Sequence, residues 1–237
     1  PKTLTMEQAV EQCKEFPNTH LFADERDMLK TFLDLIQDSD IITGWNSEGY
    51  DIPYTVNRVA KVFSKDDTRR FCLFDQFPKK REYEKFGRQQ ETFDLIGRVH
   101  LDSLELYRKY TYEERHTYRL DAIGEMEVGE RKTVYEGTLD ALYNNDFRTF
   151  IEYNRQDVAL LDKLDKKLRF IDLSNELAHA NTVLLQTTMG AVAVTEQAIV
   201  NEAHRRGMQV PNRPHRDEEN TQAAGAYVAF PKKGLHK

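Results

Sequence analysis

Asp40-Ile41-Ile42-Thr43-Gly44-Trp45-Asn46-Ser47-Glu48-Gly49-Tyr50-Asp51-Ile52-Pro53-Tyr54 is the stretch on which the fold turns. The apolar pair Ile41-Ile42 reads as a buried strand, and Gly44 lets the chain turn or approach something closely. Ser47 to Tyr50 reads as a loop. Asp51 then opens a helix through Val62-Phe63, with Pro53 in its first turn, where a missing N–H does no harm. Strand, short loop and an acid at a helix start are how α/β folds present functional groups at one sheet edge. Taken locally, Asp51 reads first as the N-cap of that helix. It can also serve a metal only if one carboxylate oxygen stays free.

A second stretch, Phe150-Ile151-Glu152-Tyr153-Asn154-Arg155-Gln156-Asp157-Val158, lies early in a helix expected to open at Asp146 and run to about Ala180. At helical period Phe150, Tyr153, Asp157, Leu161, Leu164 and Leu168 share one face. Asp157 is the only carboxylate in that apolar stripe. Burying an acid is costly unless something compensates it, and a bound cation is one compensation. Tyr153 lies one turn earlier, so its hydroxyl can reach the same spot. The alternative is a half-exposed Asp157 with its stem against the core, or one paired with an arginine.

Around these stretches the 237-residue chain is 39% apolar and 31% charged, which fits a soluble globular body with a sizeable core. Its net charge of −6 carries no overall basic signature for nucleic acid, while leaving room for a locally basic groove. Cys13 and Cys72 have neither a metal-type nor a disulfide-type spacing and point to a reducing compartment. No signal peptide or membrane-spanning run is visible. The chain begins at Pro1 rather than Met, as expected of a processed product or a piece of something longer.

In chain order, helices are expected from Leu4 to Phe16, opened by Thr5, and after Asp24, with Met28, Leu29, Phe32, Leu33 and Ile36 as the buried stripe. His20-Leu21-Phe22 reads as a short strand between them. Residues 64–93 are polar, and Lys79-Lys80-Arg81 makes them basic. Arg81–Phe86 and Gln89–Phe93 read as a hairpin with Gly87 near its turn, either a solvated surface feature or an arm that touches a phosphate backbone. Leu95 to Leu101 reads as a strand containing a structural His100, and Asp102 as the cap of a helix burying Leu104, Tyr107 and Tyr110. Tyr118 to Ile123 starts a short helix, and Glu125 to Gly137 reads as irregular. Thr182 to Arg206 reads as a helical stretch broken near Gly190, with Met189 to Val194 in the core. Pro211 to Gln222 reads as a linker, and Gly225 to Phe230 as a strand entering a new unit.

Gly44-Trp45-Asn46 with Tyr50-Asp51, and Tyr153-x-x-x-Asp157 about a hundred residues on, resemble the second and third exonuclease motifs of family B DNA polymerases. Val99-His100-Leu101-Asp102, the Leu106-Tyr107 helix and Tyr118-Arg119-Leu120-Asp121 recur between them in the same order, as in the replicative polymerases of T-even-type bacteriophages. The resemblance implies an α/β, ribonuclease H-like 3′→5′ exonuclease domain of the DEDD type over residues 1–170, lacking its first strands. A helical segment returning to the N-terminal domain would follow over 171–212, then a linker and the start of the polymerase palm over 213–237. It also implies two divalent ions, usually Mg²⁺, held by hard oxygen ligands. Asp157 matches a direct ligand, Asp51 the acid serving the second ion, and Tyr153 the phenol that orients the nucleophilic water. Asn46 and Tyr50 match residues that contact the frayed primer strand, and Lys79, Lys80 and Arg81 would lie on the hairpin that helps separate primer from template. The implied partners are DNA, the remainder of the polymerase or a split-gene partner, and a sliding clamp for the full protein. The implied setting is the host cell cytoplasm, with no membrane.

One departure from the family pattern matters. Its first motif, Asp-x-Glu on a central strand upstream of Gly-Trp-Asn, is absent, and the only such triplet here, Asp217-Glu218-Glu219, lies between prolines and reads as solvated charge. The expectation is an internal segment of the polymerase or one product of a split gene, with little or no nuclease activity alone and no polymerase activity. The alternative is a non-catalytic nucleic-acid-binding module in which Lys79 to Arg81 carry phosphate binding.

Overall fold

The computed structural model describes residues 1, 3–85, 87–131, 137–212 and 229–234. Thr5 starts helix α1 (Met6–Lys14) through a capping box: its hydroxyl accepts the Gln8 N–H, and the Gln8 side chain accepts the Thr5 N–H. Asp24 caps α2 (Glu25–Leu35), accepting the Arg26 N–H at 2.6 Å. Only Leu29 and Leu33 of the expected α2 stripe are buried, because Met28 and Phe32 lie at its solvent margins. His20-Leu21-Phe22 is not a strand, since no described segment pairs with it.

Strand β1 (Ile41–Gly44) crosses over through α3 (Asp51–Val62) and an antiparallel hairpin, β2 (Lys79–Lys85) and β3 (Arg88–Asp94). The crossover returns as β4 (Val99–Asp102), parallel to β1, with Ile41 opposite Val99 and Gly44 opposite Asp102. The expected strand over residues 95–101 is therefore shorter and later. Gly97 has φ 79°, a left-handed backbone that strands do not adopt, and Leu95 to Arg98 forms a turn.

Helices α4 (Ser103–Tyr110), α5 (Leu120–Val128), α6 (Leu139–Asn145), α7 (Phe147–Leu168), α8 (Phe170–Asn181) and α9 (Ala191–Arg205), with short 3-10 helices at Asp66–Phe71 and Leu185–Met189, complete the described elements. Three apolar clusters hold them. Leu29, Leu33, Val56, Val59 and Phe71 join α2 to α3. Tyr107, Leu120, Ile123, Leu160 and Leu164 join α4, α5 and α7, and Ala9, Cys13, Phe147 and Ile151 dock α1 on α7. Each fully buried aliphatic chain contributes about 1.5–3 kcal/mol. A Cβ on Gly124 would lie 2.6 Å from Leu160 carbons, so α5 meets α7 this closely only with glycine there.

Four further expectations change. Residues Glu125 to Val128 continue α5 because that face packs on α7, and the helix ends at Gly129. The long helix stops at Leu168. Arg169 takes left-handed angles (φ 52°, ψ 38°), a cost of about 1–2 kcal/mol. The turn sets Phe170 against Tyr110 and Tyr107, with ring centroids 5.5 and 6.4 Å away. The buried face of α7 is Phe147, Ile151, Leu160 and Leu164, whereas Tyr153, Asp157 and Leu161 occupy the adjoining half-buried stripe. Residues 189–194 are not core: Val192 is 78% exposed, because α9 joins α8 through polar contacts such as Asn201 Nδ2 donating to Asn181 O at 3.0 Å. Most of the expected linker and final strand, residues 213–228, lies outside the described residues, as do the hairpin's Phe86 and residues 132–136. No helix among the described residues is long and apolar enough to cross a membrane.

Candidate active site

The site is built where β1 ends. Gly44 leads into the loop 45–50, and a Cβ on it would sit 2.8 Å from the Ser47 Cβ. Asn46 adopts φ 60°, in the left-handed region that Asn tolerates better than most residues. Trp45 anchors the loop: its indole N–H donates to Tyr118 O at 3.0 Å, and its ring lies 6.0 Å from Tyr107. The loop joins α3 through the Ile52 N–H, which donates to Ser47 O at 2.9 Å.

Asp51 is not the N-cap. Tyr50 holds that position and makes no side-chain cap bond, while Asp51 is already the first helical residue. Its carboxylate faces a cleft of about 1070 Å³ bounded by β1, the loop, α3, α5 and α7. Asn46, Tyr153 and Asp157 line the same cleft, and so does Asp121 from α5. Asp51 remains solvent-exposed by surface area, yet the surrounding protein desolvates its carboxyl enough to raise its pKa above the ordinary value.

The other expected site residues lie elsewhere. Tyr50 points away from the cleft and stacks on Tyr54, with ring centroids 5.7 Å apart and planes 9° from parallel, and both rings are exposed. Lys79 and Arg81 line a second cleft of about 680 Å³ beside Glu48, His100 and Asp102. Arg81 pairs with Asp94 at 3.0 Å and also with Glu48, and Lys80 pairs with Glu91 at 2.6 Å and Glu82 at 3.5 Å. Lys80 and Arg81 are thus already matched by carboxylates.

Two carboxylates, a phenol and an amide are hard donors of the kind Mg²⁺ prefers. Among the described residues no three His, Cys, Asp or Glu side chains converge as a metal cluster. Sequence reasoning missed Asp121, and it took Asp102 for a helix cap alone. Asp102 is that cap, accepting the Leu104 N–H at 2.9 Å, but it also accepts the Asn46 and Glu48 N–H groups at 2.9 and 3.0 Å. His100 Nε2 lies 2.9 Å from Ser47 Oγ. Nothing local in the sequence signals these contacts.

Residues 3–123 match the family described as DNA polymerase family B, exonuclease domain. The chain is 28% identical over 192 residues to the DNA-directed DNA polymerase of Escherichia phage RB69, covering 80% of this chain and 21% of that protein. It is 27% identical over 213 residues to the DNA-directed DNA polymerase of Enterobacteria phage T4, covering 89% of this chain and 23% of that protein. A DNA polymerase of Methanocaldococcus jannaschii is 27% identical over 234 residues, covering 94% of this chain and 14% of that protein. The chain therefore spans less than a quarter of the length of these relatives. With the strand, loop and helix that carry Asp51 inside the matched residues, the chain belongs to the exonuclease-domain family of the family B DNA polymerases.

Proposed function

We propose that this chain forms most of a metal-dependent 3′→5′ proofreading exonuclease domain working within a DNA-directed DNA polymerase. One observation carries the reading: Asn46 and Asp51 share a cleft with Tyr153 and Asp157, about a hundred residues away in sequence. Asp51 and Asp157 would hold Mg²⁺ or a similar ion. Divalent ions at such a site supply the Lewis acidity that activates water and phosphodiester. The Tyr153 hydroxyl orients the water, and Asn46 contacts the terminal nucleotide. Tyr50, stacked on Tyr54 outside the cleft, would offer a face to unpaired bases. Lys79, Lys80 and Arg81 would meet the DNA backbone, Lys80 and Arg81 by exchanging their present carboxylate partners for phosphates.

Two carboxylates are too few for a two-ion site of hard ligands, so further acids must complete it. The second edge of β1 bears no strand among the described residues, and Ile42 to Gly44 line the cleft, which leaves room for an acid-bearing strand. On this reading the chain alone has little or no nuclease activity. Within the full polymerase it would act on primer ends in the host cytoplasm, alongside a sliding clamp. Residues 171–212 would return toward the N-terminal domain, and residues 213–237 would lead into the palm.

The test is Asp157→Ala in the complete polymerase, with removal of a mismatched primer end measured against extension of a matched one. Excision should vanish while extension persists. Loss of both would make Asp157 a structural residue. Metal-independent DNA binding without excision by the wild-type protein would favour the non-catalytic module, for which the shortage of converging acids argues.

A further inference from the structure

Asp102 is 6% exposed at the end of β4, and the scheme above gives it no part. A helix cap needs one acceptor oxygen and one bond. Asp102 makes three: Oδ1 takes the Leu104 and Asn46 N–H groups at 2.9 Å each, and Oδ2 takes the Glu48 N–H at 3.0 Å. Two of the three bonds leave α4 and reach across to the loop after β1.

We infer that Asp102 is a positioning residue for the acidic cleft: it holds loop 45–50 in the shape that presents Asn46 and Asp51. The inference rests on the nuclease reading of that cleft. The loop cannot keep this shape cheaply by itself. Asn46 sits in left-handed backbone, and Gly44 has no room for a side chain. The N–H groups of Asn46 and Glu48 converge on one anion, an arrangement of backbone donors suited to a single negative charge, and charge-assisted bonds of this kind are stronger than neutral ones. His100, two residues earlier on β4 and so on the same face, braces the same loop through Ser47 Oγ at 2.9 Å. Ser47 O in turn accepts the N–H of Ile52, next to Asp51. β4 thereby transmits its position to the first turn of α3.

Asp102→Asn separates this role from the cap. Asn caps helices as well as Asp does, but its amide places a donor where one loop N–H needs an acceptor. In the complete polymerase, kcat for single-strand excision should fall by about 10–100-fold, as when outer-shell partners of a metal site are removed. The KM for DNA and the extension rate should stay unchanged, and the Mg²⁺ concentration for half-maximal excision should rise. Trp45 is the only tryptophan, so acrylamide quenching of its fluorescence in this chain should increase as the loop loosens. Asp24→Asn, at a cap that touches no part of the loop, should change none of these. Ser47→Ala, which removes only the His100 brace, should give a smaller loss in the same direction. Retained excision in Asp157→Ala would overturn the nuclease reading itself. Inactive Asp157→Ala together with normal excision and metal dependence in Asp102→Asn would overturn the positioning role alone. If Asp102→Asn also loses extension, Ser47→Ala decides: unchanged excision and metal dependence there overturn the role.

Discussion

Loop 45–50 and the hairpin 79–94 flank the same pair of strands, and the sequence offers candidate DNA-contacting residues in both. They are held in opposite ways. The loop hangs on the buried Asp102 and the half-buried His100 and Tyr118, each taking or sharing a specific backbone or side-chain hydrogen. The hairpin is covered with exposed charges that pair redundantly, Lys80 with two glutamates and Arg81 with two acids. Its sixteen residues carry five cations and four carboxylates. Within Lys79-Lys80-Arg81, the last two charges are therefore not free. The loop's position, by contrast, rests on a few specific partners, chief among them the buried Asp102. The two regions meet at Glu48, whose N–H goes to Asp102 and whose carboxylate goes to Arg81.

The contrast breaks most visibly at the cleft. Asp157→Ala should lower excision by the complete polymerase by several orders of magnitude, as for catalytic groups that work as a unit. Single-turnover assays on a mismatched primer measure it. No substitution in the hairpin should approach that loss.

Next comes the response to pH and metal. Burial raises the Asp51 pKa, so this carboxyl keeps its proton in the fold at pH values where an unfolded Asp has lost it. Its effect on stability is therefore favourable in acid and is lost as pH rises from the ordinary Asp range through the raised value. A divalent ion needs the carboxylate and must displace that proton, so binding should weaken on acidification sooner than at an unperturbed Asp. In melts of the metal-free chain as pH rises from the ordinary Asp range, this loss should be absent from Asp51→Asn and present in the parent. Added Mn²⁺ should raise the melting point of the parent at neutral pH and that of Asp51→Asn less.

A third change sharpens the contrast from the packing side. Gly124→Ala drives a methyl into Leu160, and overpacking of this kind typically costs 1–3 kcal/mol, here about that range. Denaturant unfolding should show it, and excision should fall because α7 carries Tyr153 and Asp157 along the same seam.

The smallest effect belongs to the hairpin. Lys80→Ala should leave the melting point nearly unchanged, since exposed ion pairs contribute little. If Lys80 exchanges Glu91 for a phosphate in the complex, the salt dependence of DNA binding should lose about one unit of slope. An unchanged slope would confine Lys80 to its present partners.

The strand, loop and helix over 41–62 and the hairpin were legible in the amino-acid order because alternation, helical period and turn residues act over a few positions. That Asp51 shares a cleft with Tyr153 and Asp157 was legible only through resemblance to a family, as residue spacing carries no distance. Other features needed the folded chain. Whether Asp51 or Tyr50 caps α3, where α7 breaks at Arg169, and why β4 begins only after Gly97 depend on neighbours that packing supplies. Asp102 shows the division most plainly. Its capping bond lies two residues away and is written in the sequence, while its bonds to the loop span 54 and 56 residues and exist only because β1 and β4 lie side by side. Local order determined which residue types stand at the site. Burial and parallel pairing decided which of them hold the others still, because a buried acceptor takes the donors that the fold brings to it.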